Sequence, residues 1–138
     1  MVEKRDHILI VEDDVDIFEA LRMVLEARGF TVSRAKNTAA AGEELKNKRP
    51  ALIILDVILD TETEGFQIAY SLRNPGKPFY EFHDVPILMM TAIGQLRGMH
   101  FSPEKDGEYL PVDAYLEKPV PPARLLAEVD RLLGSKHS

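Results

Sequence analysis

The sequence predicts an α/β fold in which helices cover both faces of a parallel, five-stranded sheet. Short apolar runs rich in β-branched residues alternate with amphipathic stretches along the whole chain, as they do in successive strand–helix–strand units. The runs are apolar on both faces, which is typical of buried parallel strands. The length of 138 residues suits one hydrophobic core. We therefore expect a single domain over residues 1–138, with an ordered core from about 6 to 134.

The first half of the chain is predicted to contribute three strands and two helices. The strands are expected at His7–Val11, Phe30–Ala35 and Ala51–Leu55. A helix from Val15 to Arg28 is indicated by apolar residues at helical spacing, with Gly29 as a stop signal just past its end. A second helix is expected from Thr38 to Lys48, with Thr38 as the candidate N-cap.

The second half is predicted to complete the sheet with the strands Pro86–Met90 and Ala114–Leu116. Helices are expected from about Gly65 to Arg73 and from Pro121 to Leu133. Between the last two strands, the density of Gly and Pro favours at most a short helix near Gln95–Met99, followed by an irregular loop. This arrangement predicts a doubly wound, flavodoxin-like sheet with the strand order 2-1-3-4-5.

The connection from Asn74 to Val85 is long and carries several aromatic side chains. Two interpretations are open for these aromatic residues. They either pack back on the domain or form a patch for a partner protein.

Composition excludes several classes of function. The chain has no cysteine, which rules out disulfides and thiolate metal sites. Its formal net charge of −6 argues against direct binding to nucleic acid. No apolar run is long enough to span a membrane, and the N-terminus lacks the features of a signal peptide. A cytoplasmic location is therefore expected.

Polar residues follow four of the predicted strands. Glu12 and Asp13 come after the first, Asp56 after the third, Thr91 after the fourth and Lys118 after the fifth. Since the carboxyl ends of parallel strands meet at one edge of a sheet, we expect these side chains to converge.

Three carboxylates in one place require a cation, and hard oxygen ligands favour Mg²⁺ or the similar Mn²⁺. This set favours phosphoryl transfer, with Asp56 as the nucleophile and with Thr91 and Lys118 contacting the phosphoryl oxygens. Each residue also has an ordinary structural interpretation. The acidic run, for example, could be the negative first turn of a helix. Their joint occurrence at four strand ends favours the functional interpretation.

With these motifs, the chain resembles the receiver domain of two-component response regulators. The matching segments are Ile8–Asp14, Leu55–Asp56, Met89–Ala92 and Tyr115–Pro119. The resemblance implies that Asp56 is the phosphoacceptor and that Glu12 and Asp13 form the acidic pair, with Asp13 a direct metal ligand. It implies a further metal ligand in the backbone carbonyl of Ile58.

The resemblance also implies a switch in which Thr91 and Tyr115 change conformation, and a cis peptide bond between Lys118 and Pro119. The expected phosphodonor is a sensor histidine kinase or a phosphotransfer protein. The expected target is a downstream protein or an output domain outside this chain. No membrane partner is expected.

Two alternatives come from other functional classes. A phosphatase with an aspartyl nucleophile would need a second aspartate where this chain has Ile58. A receiver-like interaction module that works without phosphorylation would be expected to lack one of the site residues, and all of them are present. A signalling domain that catalyses only its own phosphorylation and dephosphorylation is therefore favoured over an enzyme.

Overall fold

The computed structural model describes residues 6–56, 62–91, 99–100, 108–109 and 112–137. Within them lie seven strands: β1 (His7–Val11), β2 (Thr31–Ala35), β3 (Leu52–Asp56), β4 (Ile87–Thr91), β5 (Met99–His100), β6 (Glu108–Tyr109) and β7 (Ala114–Glu117). The same residues include four α-helices: α1 (Val15–Ala27), α2 (Thr38–Asn47), α3 (Glu62–Arg73) and α4 (Pro122–His137). A short 3-10 helix spans Tyr80–Phe82.

Five of the strands form one parallel sheet in the order β2-β1-β3-β4-β7. This confirms the predicted order 2-1-3-4-5, with β7 as the fifth strand of the main sheet. Val11 lies opposite Ala35 and Leu55, and Asp56 lies opposite Met90. The carboxyl ends of the strands therefore share one edge, and β3 is central.

The core has two layers, one on each face of the sheet. Leu9 and Val11 of β1 pack in a cluster with residues of α2 and α3. Ile8 and Ile10 pack in a second cluster with residues of α1 and α4. Alternate residues of one strand thus serve opposite faces, as expected for a buried parallel strand.

The N-cap of α2 and the start of α3 differ from the predictions, although α2 begins at Thr38 as expected. The N-cap of α2 is Asn37 rather than Thr38, and the Asn37 side chain accepts a hydrogen bond of 2.9 Å from the backbone N–H of Ala40. Asn and Thr both suit this position, so composition alone did not decide between neighbours. Helix α3 starts at Glu62, three residues before the predicted Gly65, since its acidic first turn suits a helix N-terminus.

The predicted short helix at Gln95–Met99 lies mostly outside the described residues. Its last residue, Met99, is in β5, which pairs in parallel with β6. The helix prediction is therefore wrong at Met99, where backbone pairing with a later segment replaces local helical bonds.

The long connection after α3 packs back on the domain. Phe82 is 6% exposed within the core layer beside α2 and α3, and Phe79 packs against the same layer. A Cβ atom built on Gly42 of α2 would lie 3.1 Å from a ring carbon of Phe79. Phe79 and Phe82 thus extend the core, as the first of the two interpretations predicted.

Candidate functional site

Glu12 directly follows β1 at the carboxyl edge of the sheet. Its backbone N–H donates to the carbonyl of Ala35 at 2.9 Å, which extends the pairing with β2 by one residue. Its side chain is almost fully buried at 3% exposure, and one carboxylate oxygen accepts the backbone N–H of Asp14 at 2.9 Å. A carboxylate this deep stays ionised only where donors or a cation offset its lost hydration.

The three acidic residues after β1 have different surroundings. Asp13 is exposed. Asp14 is the N-cap of α1, and its side chain accepts the N–H groups of Asp16 at 2.8 Å and Ile17 at 3.2 Å. The structural interpretation of the acidic run therefore explains Asp14. It does not explain the buried Glu12.

An arginine that the sequence analysis missed contacts the acidic pair. Arg34 of β2 donates from Nε to the carbonyl of Glu12 at 3.0 Å and from Nη2 to the carbonyl of Asp13 at 2.9 Å. The available signal was a basic residue next to the end of the strand predicted to neighbour β1. That signal is weak, because a basic residue on an edge strand is commonly solvated.

Thr91 and Lys118 lie at the other side of the same edge. Thr91 is the last residue of β4 and is fully buried, and its carbonyl accepts the backbone N–H of Lys118 at 2.7 Å. Lys118 is half-buried just after β7. The peptide bond between Lys118 and Pro119 is cis, which confirms that prediction.

Asp56 is the last residue of the central strand β3, and its backbone lies opposite Met90. Its side chain and the whole of Ile58 lie outside what the structure describes. No group of three or more His, Asp or Glu side chains among the described residues is arranged to hold a metal. Of the predicted trio, Glu12 and Asp13 lie among the described side chains and Asp56 does not.

Tyr115 lies on β7 and is 39% exposed. It borders a cavity of about 540 Å³ between the end of β7 and the start of α4. The other lining residues are Leu116, Glu117, Pro119, Val120, Pro121 and Arg124. The Tyr115 side chain therefore borders open space.

The residues present fit a hard divalent cation. Glu12 and Asp13 supply carboxylate oxygens at the strand end that neighbours Asp56, and oxygen ligands without thiolate or imidazole are those that Mg²⁺ prefers. Parallel strands lie roughly 4.8 Å apart, so side chains attached at the ends of neighbouring strands can bind the same ion.

Comparison with known proteins identifies the family of the chain. A family model described as the response regulator receiver domain matches residues 8–130. The chain belongs to the response regulator receiver family. Receivers of this family are signalling domains of two-component systems, which work with histidine kinases and output domains and generally bind Mg²⁺.

The receiver is similar to several curated regulators. It is 32% identical over 126 residues to the phosphate regulon transcriptional regulatory protein PhoB of Pseudomonas aeruginosa, covering 91% of this chain and 51% of that protein. It is 31% identical over 132 residues to the response regulator Rre1 of a Synechocystis strain, covering 95% of this chain and 53% of that protein. The chain thus spans about half the length of these relatives.

Solved structures give the same result for the receiver fold. A putative response regulator from Chloroflexus aurantiacus has a TM-score of 0.74 at 30% identity, covering 95% of this chain and 99% of that one. The chemotaxis protein CheY4 of Vibrio cholerae has a TM-score of 0.72 at 26% identity, covering 94% and 100%. None of the helices described in this receiver is long and apolar enough to cross a membrane.

Proposed function

We propose that this receiver accepts a phosphoryl group on Asp56 in a Mg²⁺-dependent reaction, with the phosphohistidine of a sensor histidine kinase or phosphotransfer protein as donor. The observation that carries the proposal is the burial of Glu12 at 3% exposure beside Asp13, directly after the strand that neighbours the one ending at Asp56. A buried carboxylate next to a second acidic residue is costly unless donors or a cation offset its charge, and a bound cation would do so here.

In the proposed reaction, a carboxylate oxygen of Asp56 attacks the phosphorus atom of the donor. The bond between phosphorus and the donor's imidazole nitrogen breaks, and the imidazole leaves as an acyl phosphate forms on Asp56. When bound, Mg²⁺ would offset negative charge on the phosphoryl oxygens. The residues that would hold it are Glu12, Asp13, Asp56 and the backbone carbonyl of Ile58.

Thr91 and Lys118 are proposed to hold the phosphoryl group from the other side. The hydrogen bond between their backbones holds the end of β4 against the end of β7. The Thr91 hydroxyl and the Lys118 ammonium group are therefore attached to backbone segments that are fixed relative to each other. Charge-assisted contacts of this kind stabilise a phosphoryl oxygen strongly in a site shielded from water.

Phosphorylation is proposed to change the surface beside β7. Movement of the Thr91 hydroxyl towards the phosphoryl group would free space near Tyr115. The cavity that Tyr115 borders would give its ring further space in which to turn. A modest difference in free energy between two conformers is enough for such a switch. The domain would thus signal through a downstream protein or output domain rather than turn over a separate substrate.

The test is phosphorylation by acetyl phosphate with Mg²⁺, followed by intact-protein mass spectrometry. We expect a mass gain of one phosphoryl group in the wild type, none without Mg²⁺ and none in Asp56→Asn. The matched control is Asp130→Asn on α4, an exposed aspartate that should leave the mass gain unchanged. A wild type that gains no mass with either acetyl phosphate or a phosphorylated kinase would instead indicate an interaction module that works without phosphorylation.

A further inference from the structure

Arg34 links β2 to the loop that carries the acidic pair. Its Cα lies opposite Ile10 in the β1–β2 register, two residues before Glu12. From there the guanidinium reaches along the sheet edge and donates to two successive carbonyls, those of Glu12 and Asp13. The rigid fork of a guanidinium suits two acceptors at once, which a lysine ammonium does not match.

The two carbonyls belong to the two peptide units on either side of Asp13. Each peptide unit is planar, so the only soft torsions between these two planes are φ and ψ of Asp13. Because Arg34 holds both planes, it fixes those torsions and hence the direction in which the Asp13 side chain leaves the backbone. Asp13 is exposed, and its side chain gains no such restraint from packing.

The same contact reaches Glu12 through the backbone. The Asp13 carbonyl and the Asp14 N–H belong to one trans peptide unit and point in opposite directions. Arg34 holds the carbonyl at 2.9 Å on one side, and a Glu12 carboxylate oxygen accepts the N–H at 2.9 Å on the other. Arg34 thereby aims an amide donor at the buried carboxylate.

We propose that Arg34 is a positioning residue that preorganises Glu12 and Asp13 for the divalent cation, an inference that rests on the proposed function. The positive charge of Arg34 by itself would repel the cation and weaken binding. Its geometry strengthens binding, since groups that orient metal ligands commonly change metal affinity by about 10–100-fold. The two effects have opposite signs, so substitutions can separate them.

The experiment compares Arg34→Lys, Arg34→Met and the wild type in an amide chemical-shift titration with Mg²⁺. Arg34→Lys keeps the charge and loses the fork, and we expect it to weaken Mg²⁺ binding about ten-fold. Arg34→Met loses both and should also weaken binding. The matched control is Lys36→Gln, which removes an exposed charge just beyond β2 and should leave Mg²⁺ affinity unchanged or slightly higher.

A second measurement in the same spectra needs no metal. Hydrogen exchange of the Asp14 amide should speed up in both Arg34 variants relative to the core amide of Leu9, since the peptide is no longer held from its carbonyl side. This local ratio corrects for any loss of global stability. It also tests the contact if the wild type fails to bind Mg²⁺, a result that would overturn the proposed function but not the positioning of the peptide.

Three results would overturn the inference while leaving the proposed function intact. The first is wild-type Mg²⁺ affinity in Arg34→Lys together with unchanged exchange at Asp14. The second is tighter Mg²⁺ binding in Arg34→Met, which would show that the charge of Arg34 outweighs its geometry. The third is equal weakening by Lys36→Gln, which would reject a specific role for Arg34.

Discussion

The two edges of the main sheet use charge in opposite ways. At the amino edge, Arg73 donates to the carbonyls of His83 and Val85 and pairs with Asp113 at 2.6 Å. The same Asp113 carboxylate accepts the buried N–H of Ile87 at 2.7 Å. Arg73 thus interacts there with a carboxylate and with two carbonyls. These contacts join the long connection after α3 to the start of β4.

At the carboxyl edge, like charges follow one another from Glu12 to Asp14, with one of them nearly fully buried. For Glu12 and Asp13 such an arrangement opposes folding, whereas Asp14 stabilises α1 as its N-cap. The difference between the edges is that charge at the amino edge forms contacts that stabilise the fold, whereas charge at the carboxyl edge suits the cation binding proposed for this receiver. Substitutions at the two edges should therefore affect different measurements.

The largest effect is expected from Asp13→Asn. Removing this carboxylate should weaken Mg²⁺ binding by at least about ten-fold and slow Mg²⁺-dependent phosphorylation. Because Asp13 is exposed and lies between the acidic Glu12 and Asp14, the free energy of unfolding should stay within about 0.5 kcal/mol or rise. Mg²⁺ titration and urea unfolding measure the two quantities.

The control for that prediction is Asp16→Asn, an exposed acidic residue in the first turn of α1. Its Mg²⁺ affinity should match the wild type. Equal loss in both variants would mean that general negative charge, rather than a ligand at Asp13, attracts the cation.

Arg73→Met should have the opposite effects, since it should lower the free energy of unfolding and leave phosphorylation unchanged. It removes donors from the carbonyls of His83 and Val85 and leaves Asp113 without this partner, so we expect a loss of about 2 kcal/mol in the free energy of unfolding. The extent of phosphorylation by acetyl phosphate should stay at the wild-type level below the unfolding transition.

Arg28→Met provides the comparison for Arg73. The ion pair between Arg28 and Asp130 links α1 to α4 with both side chains close to half exposed, and exposed pairs contribute little. Its unfolding midpoint in urea should stay near that of the wild type. If Arg28→Met and Arg73→Met cost the same, the contacts at the amino edge have no special role in stability.

The smallest effect concerns His7 at the amino edge. Its ring nitrogens contact the hydroxyls of Thr31 at 2.8 Å and Ser33 at 2.9 Å. Burial, followed by the charge of Lys48, lowers the pKa of His7 below its ordinary value of 6.5, while Glu44 acts in the other direction. The folded protein thus binds fewer protons than the unfolded chain between the two pKa values.

It follows that the stability linked to His7 is fully present above pH 6.5 and is lost as the pH falls through the folded pKa. Urea unfolding between pH 7.5 and 5 measures this contribution. The free energy of unfolding should depend less steeply on pH in His7→Gln than in the wild type, and the carboxylate effects common to both proteins cancel in the difference. Identical slopes in the two proteins would contradict this assignment.

Much of the fold was predictable because local pattern and tertiary environment agree. The strand His7–Val11 was predicted at its observed bounds, since an apolar run between polar residues has few alternatives. The ends of helices were less predictable. Asn37 and Thr38 compete as caps on equal terms, and only the backbone angles of the folded chain select one.

The positions of the candidate site residues were predictable, but the contacts that hold them were not. Glu12 directly follows β1 and Thr91 ends β4, so the topology alone places them at one edge of the sheet. Arg34 acts through two backbone carbonyls, and a contact to a backbone carbonyl leaves almost no trace in residue type. The pairing of β5 with β6 was missed for a similar reason, because two-residue strands carry no periodicity.

The contact of Phe79 with Gly42 joins the long connection after α3 to helix α2 as a matched pair. A side chain at position 42 and an aromatic ring at position 79 compete for the same space, because even a methyl group would meet the ring at 3.1 Å. An alanine at position 42 would require the Phe79 ring to shift by a few tenths of an ångström, against which stands the gain in helix propensity over glycine. Grafting the connection onto another receiver should therefore test positions 42 and 79 together.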